Sequence, residues 1–291
     1  MLLKWLAFSL VGIFAFAVPV RAADSASGAV TVQKLGAISP KHAVAFLVRQ
    51  QGNARLTSTE ILLSDLPVNA AAIQTAFDPH MEAINVDVLR DRNYVLLWVT
   101  ADGSVSMNAT FSKTMTQFMD GSNMGLNVTW TTRSASRLEG RLFSSAPIKT
   151  MDGTTYSVDL RFAVDVPTAP EGQALPAGGG DPGKALTALL AAASRKNWTA
   201  IRAVLGPEAL KMFDKDYNTP AENAASASDM LKVWIPTQKT KIAGGILRGD
   251  VAVLDVEGEM FPGMTGLSRV QMVKVGMAWK FERSARAGSL P

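Results

Sequence analysis

No cysteine occurs anywhere in the 291 residues, which excludes disulfide staples, thiolate nucleophiles and cysteine-ligated metals together. Histidine is almost as scarce. His42 and His80 are the only two, and they form neither the HxxxH nor the HxH spacing of a metal site. They read as solvent-accessible or hydrogen-bonded side chains, since no local motif sets a carboxylate beside either of them. A strong charge of one sign is also missing: 29 basic and 25 acidic residues leave a formal net of +4. Ala23 to Asp165 carries 12 basic and 13 acidic residues, and Lys184 to Pro291 carries 15 and 10. The C-terminal part is mildly basic, but its cations are scattered among acids without interleaved aromatics, a pattern that excludes a nucleic-acid footprint.

Only one long apolar run is present, Leu6 to Val18, preceded by Lys4 and followed by Val20-Arg21-Ala22. A positive start, an apolar stretch and a small-residue cleavage pattern together read as a secretory signal over residues 1–22, cut between Ala22 and Ala23. The run is short for a bilayer span, and no later segment approaches that length. The expected location is therefore periplasmic or secreted, without stable membrane insertion after cleavage. Loss of Lys4 and Arg21 lowers the net charge from +4 to +2. Without disulfides in an oxidising space the mature chain must hold together by burial, for which a hydrophobic share of 47% supplies the material.

The chain is organised around Val166 to Gly183, whose prolines and glycines forbid a continuous helix or central strand. Residues 167–181 read as a linker between two domains, residues 30–166 and 182–284. Before it, apolar residues alternate singly, as in strands. His42 to Arg49 and a run through Ile61 to Leu63 predict a hairpin, and Asn69 caps a short helix that Asp78-Pro79 ends. Ile84, Val86 and Val88 alternate, Tyr94 to Val99 is nearly all apolar, and Asp102-Gly103 marks a turn before Val105 to Phe111. The clearest strand is Tyr156 to Val166, with Tyr156, Val158, Leu160, Phe162, Val164 and Val166 on one face. A mainly-β sandwich or curved sheet with one short helix follows from this pattern.

After the linker the period changes. Asp181-Pro182 starts a helix with Leu186, Leu189, Leu190 and Ala193 on one face, closed by Arg195-Lys196-Asn197. Further helices are predicted over Trp198 to Leu205, Glu208 to Tyr217 and Ser228 to Trp234, the last capped by Ser228. Four strands then alternate with turns: Lys239 to Leu247, Val251 to Met260, Leu267 to Val275 and Ala278 to Arg283. Helices followed by an antiparallel meander make an α+β layout in which a bent sheet packs on the helices.

Lys184-Ala185-Leu186, Lys196-Asn197-Trp198, Asp250 to Val256 and the closing Gly276-Met277-Ala278-Trp279-Lys280-Phe281 carry a resemblance. This part is similar to the cystatin-like cone domains of the nuclear-transport-factor superfamily, in particular to secreted bacterial domains of unknown function within it. The resemblance implies a curved sheet wrapped round a long helix with a pocket open at one end. Related cones include isomerases, dehydratases, ligand-binding subunits and dimerising modules, so function does not follow from the fold. Isomerases of this shape use a pocket carboxylate as base, and Asp214, Tyr217, Asp255 and Glu257 have suitable chemistry. Alternation sets Asp255 and Glu257 opposite Ala252, Leu254 and Val256, so both acids point to solvent if helices cover the second face.

Trp198, Tyr217, Trp234, Phe261 and Met264 either line an apolar pocket or belong to the core, and the apolar loop Phe261-Pro262-Gly263-Met264 suits a pocket rim or a subunit contact. The expected function is an exported, non-enzymatic ligand-binding or protein-interaction protein of the envelope. Its expected partner is an apolar small molecule or an envelope protein, with a homodimer through the cone sheet as a further arrangement. An isomerase-like enzyme using Tyr217 and Asp255 is the alternative. Neither a cofactor nor a metal is called for.

Overall fold

Residue-by-residue alternation is what the N-terminal part converts most directly into structure. The computed structural model describes residues 24–50, 53–85, 92–112, 116–120, 125–150, 153–168, 172–216, 220–236 and 238–289. The described chain is mainly β, with three antiparallel sheets and six helices. The expected signal over residues 1–22, Val86, Val88 and Tyr217 lie outside the described residues.

In chain order the N-terminal elements are β1 (Ser25–Val32), β2 (Gly36–Ile38), β3 (His42–Gln50), β4 (Asn53–Ser64), α1 (Ala70–Thr75), α2 (Pro79–Ala83), β5 (Tyr94–Val99), β6 (Val105–Phe111), β7 (Thr116–Asp120), β8 (Leu126–Arg133), β9 (Arg137–Ser144), β10 (Ile148–Lys149) and β11 (Thr155–Asp165). One sheet runs β2-β1-β11-β9-β8, with β10 added to β11, and the other runs β3-β4-β5-β6-β7. Strand β11 is central, and the apolar face expected of it is the one that is buried: Tyr156, Val158, Leu160, Phe162 and Val164 are all at most 3% exposed. They meet Ala45, Ile61, Leu63, Val95, Leu97 and Met107 of the second sheet in a single core. Two sheets sharing one core in this way make a sandwich.

Strand β1 is absent from the sequence expectation, whose first strand is His42 to Arg49 and whose domain begins at residue 30, five residues after β1 starts. Ser25-Ala26-Ser27-Gly28-Ala29 has little apolar alternation, yet it pairs residue for residue with β11, from Ser25 opposite Ala163 to Val32 opposite Tyr156. Just before it, Asp24 accepts from Arg137 (3.1 Å) and from the backbone N–H of Asp165 (2.9 Å). Arg137 also donates to Glu139 and Asp165, so one nearly buried guanidinium gathers three carboxylates at the edge of the sheet. Asp24→Ala should cost about 1 kcal/mol, because Arg137 keeps two partners and the lost pair is partly exposed. A lower denaturant midpoint at unchanged slope is the expected reading; no change would mean that the tie holds nothing.

Two local expectations are corrected here. Asn69 does cap α1, accepting from the Ala72 N–H at 3.1 Å. Asp78-Pro79 does more than end that helix, since Asp78 accepts from the Met81 N–H and Pro79 opens α2. Ile84 therefore caps a helix and does not begin a strand.

The remaining elements are β12 (Gln173–Leu175), α3 (Gly180–Ser194), α4 (Trp198–Val204), α5 (Pro207–Asp216), α6 (Pro220–Trp234), β13 (Gln238–Arg248), β14 (Val251–Phe261), β15 (Met264–Val275) and β16 (Ala278–Ser289). The third sheet is a plain meander, β12-β13-β14-β15-β16. Its inner face, including Ala252, Leu254, Val256, Val270, Met272 and Phe281, is buried against Leu186, Leu189, Ile201, Phe213 and Leu231 of the helices. The segment read as linker is partly built in, because Gln173, Ala174 and Leu175 pair with Leu247, Ile246 and Gly245. Asp181 does not cap α3: Gly179 occupies that position, and the Asp181 carboxylate binds Lys184. Lys196 takes the left-handed turn (φ 51°), leaving Asn197 to cap α4 through the Ala200 N–H. Ser228 caps nothing either, being buried in the middle of α6.

Candidate functional site

The chemically distinctive place in the molecule is on the outer face of the β3–β7 sheet, beneath α1 and α2. Phe46, Leu62, Tyr94 and Leu96 form an apolar floor there, closed by Ile73 and Ala83 from the two helices. Glu60 stands among them in β4, opposite Phe46 on β3 and Trp98 on β5. At 3% exposure its carboxylate has lost most of its water and requires a partner. His80 supplies one from α2, with Nδ1 2.7 Å from Oε2 of Glu60 and its ring 6.5 Å from that of Trp98. With Glu60 accepting, Nδ1 carries the proton and Nε2 is the nitrogen left for other use. The hydrogen bond to Glu60 raises the His80 pKa above its usual value, burial opposes this, and the charges of Glu60 and Asp78 reinforce it. His80 is thus a hydrogen-bonded histidine, as its lack of ligand spacing led one to expect. Its partner, twenty residues upstream on another element, had no signature in the sequence.

Beside this pair lies a contact with the third sheet. The ring of Phe77, three residues before His80, has the guanidinium of Arg269 5.6 Å from its centre and that of Arg283 at 5.8 Å. Arg269 also donates to the Phe77 carbonyl at 3.4 Å, and β16 runs against β3 and β4.

Of the expected ligand residues, Tyr217 lies outside the described residues, and Trp198 and Met264 lie in different parts of the C-terminal fold. Trp198 is half-buried and packs edge-on against Phe213, centroids 5.7 Å apart, with the Arg202 guanidinium 5.9 Å away on the ring. Its helix joins the sheet where the Gly206 N–H donates to the Phe281 carbonyl, and Phe281 pairs with Met272. Met264 is eight residues from Met272 along β15, about 26 Å at the usual strand rise. Phe261 ends β14 opposite Met264, and Trp234 ends α6. Met264 is 53% exposed. Its hairpin borders an open depression of about 310 Å³ lined by Lys239, Lys241, Glu257, Glu259 and Thr265, polar where an apolar rim was expected. There the Gly263 N–H and Lys239 hold the Glu259 carboxyl below its ordinary range. A larger open groove, about 450 Å³, crosses the β1–β11 face between Thr31, Ser144, Ser157 and Asp159.

Of the isomerase-type acids, Asp214 is taken by a two-pronged bond from Arg202 on the surface. Asp255 and Glu257 lie on the face of β14 opposite the one packed on the helices, with Arg269 and Lys241 as their cross-strand neighbours. No group of three or more candidate metal ligands occurs among the described residues, and none of their helices is long and apolar enough to cross a membrane. In comparison with known proteins, no family model matches the chain, and no curated protein matches it either.

Proposed function

We propose that the protein is an exported, non-catalytic interaction protein of the envelope, with a sandwich domain followed by a cystatin-like cone domain. The observation that carries this reading is the inner face of the third sheet. Ala252, Leu254, Val256, Val270, Met272 and Phe281 are all committed to packing on the helices, which puts the carboxylates of β14 on the other side. A cone that worked as an isomerase would direct a carboxylate inward beside its substrate. Among the apolar side chains that reach water, Met264 (53% exposed) and Met277 (92% exposed) sit at hairpin ends of the third sheet. Methionine is adaptable enough to pack against a protein surface there.

The test is photo-crosslinking in intact cells, with a benzoyl-phenylalanine placed at Met264, at Met277 or at the exposed control Asp229. A discrete protein adduct is expected from a methionine position and none from the control. If no position yields an adduct and the purified protein instead releases a small molecule on denaturation, ligand binding replaces protein interaction. Turnover of any small molecule that is lost in Asp255→Asn would establish the isomerase-like alternative with Tyr217 and Asp255.

A further inference from the structure

A short helix such as α2, five residues long, gains little from its own hydrogen bonds and is held by what it packs on. Its fastening is unusual: a buried carboxylate on the sheet and an imidazole on the helix. We propose that Glu60 and His80 form a pH-operated latch which, while His80 is protonated, fixes α2 on the sheet and with it the Phe77 seat of the third sheet. The connection is covalent and short. Phe77 immediately precedes the Asp78 cap of α2, and both arginines that engage its ring come from the third sheet.

Among the described residues, the charged groups around the latch are Glu60 from β4, Asp78 at the start of α2 and Glu82 further along it. Beyond Phe77 stand Arg269 and Arg283, while β3 presents the apolar Phe46 and Val48, β5 presents Trp98, and α1 presents no ionisable side chain. The near neighbours are acids, so protonated His80 is held by charge as well as by the hydrogen bond, consistent with its raised pKa. Because the folded value lies above the ordinary 6.5, the stabilisation is fully present below 6.5. It is lost as pH rises through the folded value. The neutral imidazole keeps a hydrogen bond but loses its charge, and the buried carboxylate is left without a counter-charge.

The experiment uses the full chain carrying His42→Gln, which leaves His80 as the sole imidazole in a proton NMR titration. The expected midpoint lies above 6.5. Amide protection over Ile73 to Ala83, corrected for intrinsic exchange at each pH, should fall across the same range. The loss should be about tenfold for each whole unit by which the midpoint exceeds 6.5. The Nε–H groups of Arg269 and Arg283 should lose protection together with it. His80→Gln, neutral at every pH, should show the high-pH protection throughout. A midpoint at or below 6.5, protection that is flat across the midpoint, or low-pH protection retained in His80→Gln overturns the proposal. If His80→Gln fails to fold, the titration of the histidine-bearing chain decides alone.

Discussion

Leu160→Ala is expected to destabilise the sandwich by about 3 to 4 kcal/mol, near the middle of the range for a fully buried leucine that leaves a cavity. Leu160 has no exposed surface and sits midway along β11, with β1 on one side and β9 on the other. Backbone pairing on both sides limits how far the strand can shift to fill the gap, so the site collapses poorly and the cavity term stays large. The substitution also probes the proposed division into two domains. Leu160 belongs to the core between the first two sheets, and Leu254 to the core between the third sheet and the helices. Thermal unfolding should show two transitions, one lowered by Leu160→Ala and the other by Leu254→Ala. A single transition lowered equally by both would make the chain one cooperative unit and remove the two-domain proposal.

The parts of the fold that were readable are those whose pattern is local. Strand β11 shows its buried face in five alternating residues, which Val166 continues just beyond it, and the C-terminal meander shows its turns as Arg248-Gly249-Asp250 and Pro262-Gly263. The parts that escaped depend on distant partners. Strand β1 is rich in serine, glycine and alanine and becomes a strand because β11 offers it a pairing edge. Helix α6 begins eight residues earlier than the expected Ser228, because Ala224, Ala227 and Ser228 give a smooth surface for close packing and no apolar stripe. Strand β12 hides in proline- and glycine-rich chain, whose composition suggests a tether.

The candidate site was still less legible, for the same physical reason. Carboxylate and imidazole come from β4 and α2, and nothing in a spacing of twenty residues announces that they touch. A faint signal was nevertheless present. Glu60 directly precedes Ile61, Leu62 and Leu63, and an acid entering a run that apolar must be either at the surface or paired. The aromatic residues after the linker left two readings open, pocket lining or core. Trp198 is spent on packing against Phe213, in keeping with the general rule that such side chains build cores before they build pockets.

Gly183→Ala should lower the stability of the C-terminal part by about 2 to 4 kcal/mol, although the same change inside a helix ordinarily stabilises by about 1 kcal/mol. The chain enters α3 through Gly178, Gly179 and Gly180, all at positive φ (85°, 67° and 59°). This turn curls back over the first helical residues, so a methyl group on Gly183 would collide with the Gly178 carbonyl oxygen. The obstacle is backbone, and it is anchored: the Gly178 N–H donates to Ile242 of β13, and that of Gly179 to Pro176. Relief of the clash must break one of those bonds or push α3 off the sheet, an overpacking cost that exceeds the helix-propensity gain. Gly276→Ala is the control, since its φ of 62° carries conformational strain but no atom lies within 4 Å of the added carbon. About 1 kcal/mol is expected there. Chemical denaturation of both variants separates the effects, and a stabilised Gly183→Ala would mean that the glycine turn does not lie against the start of α3.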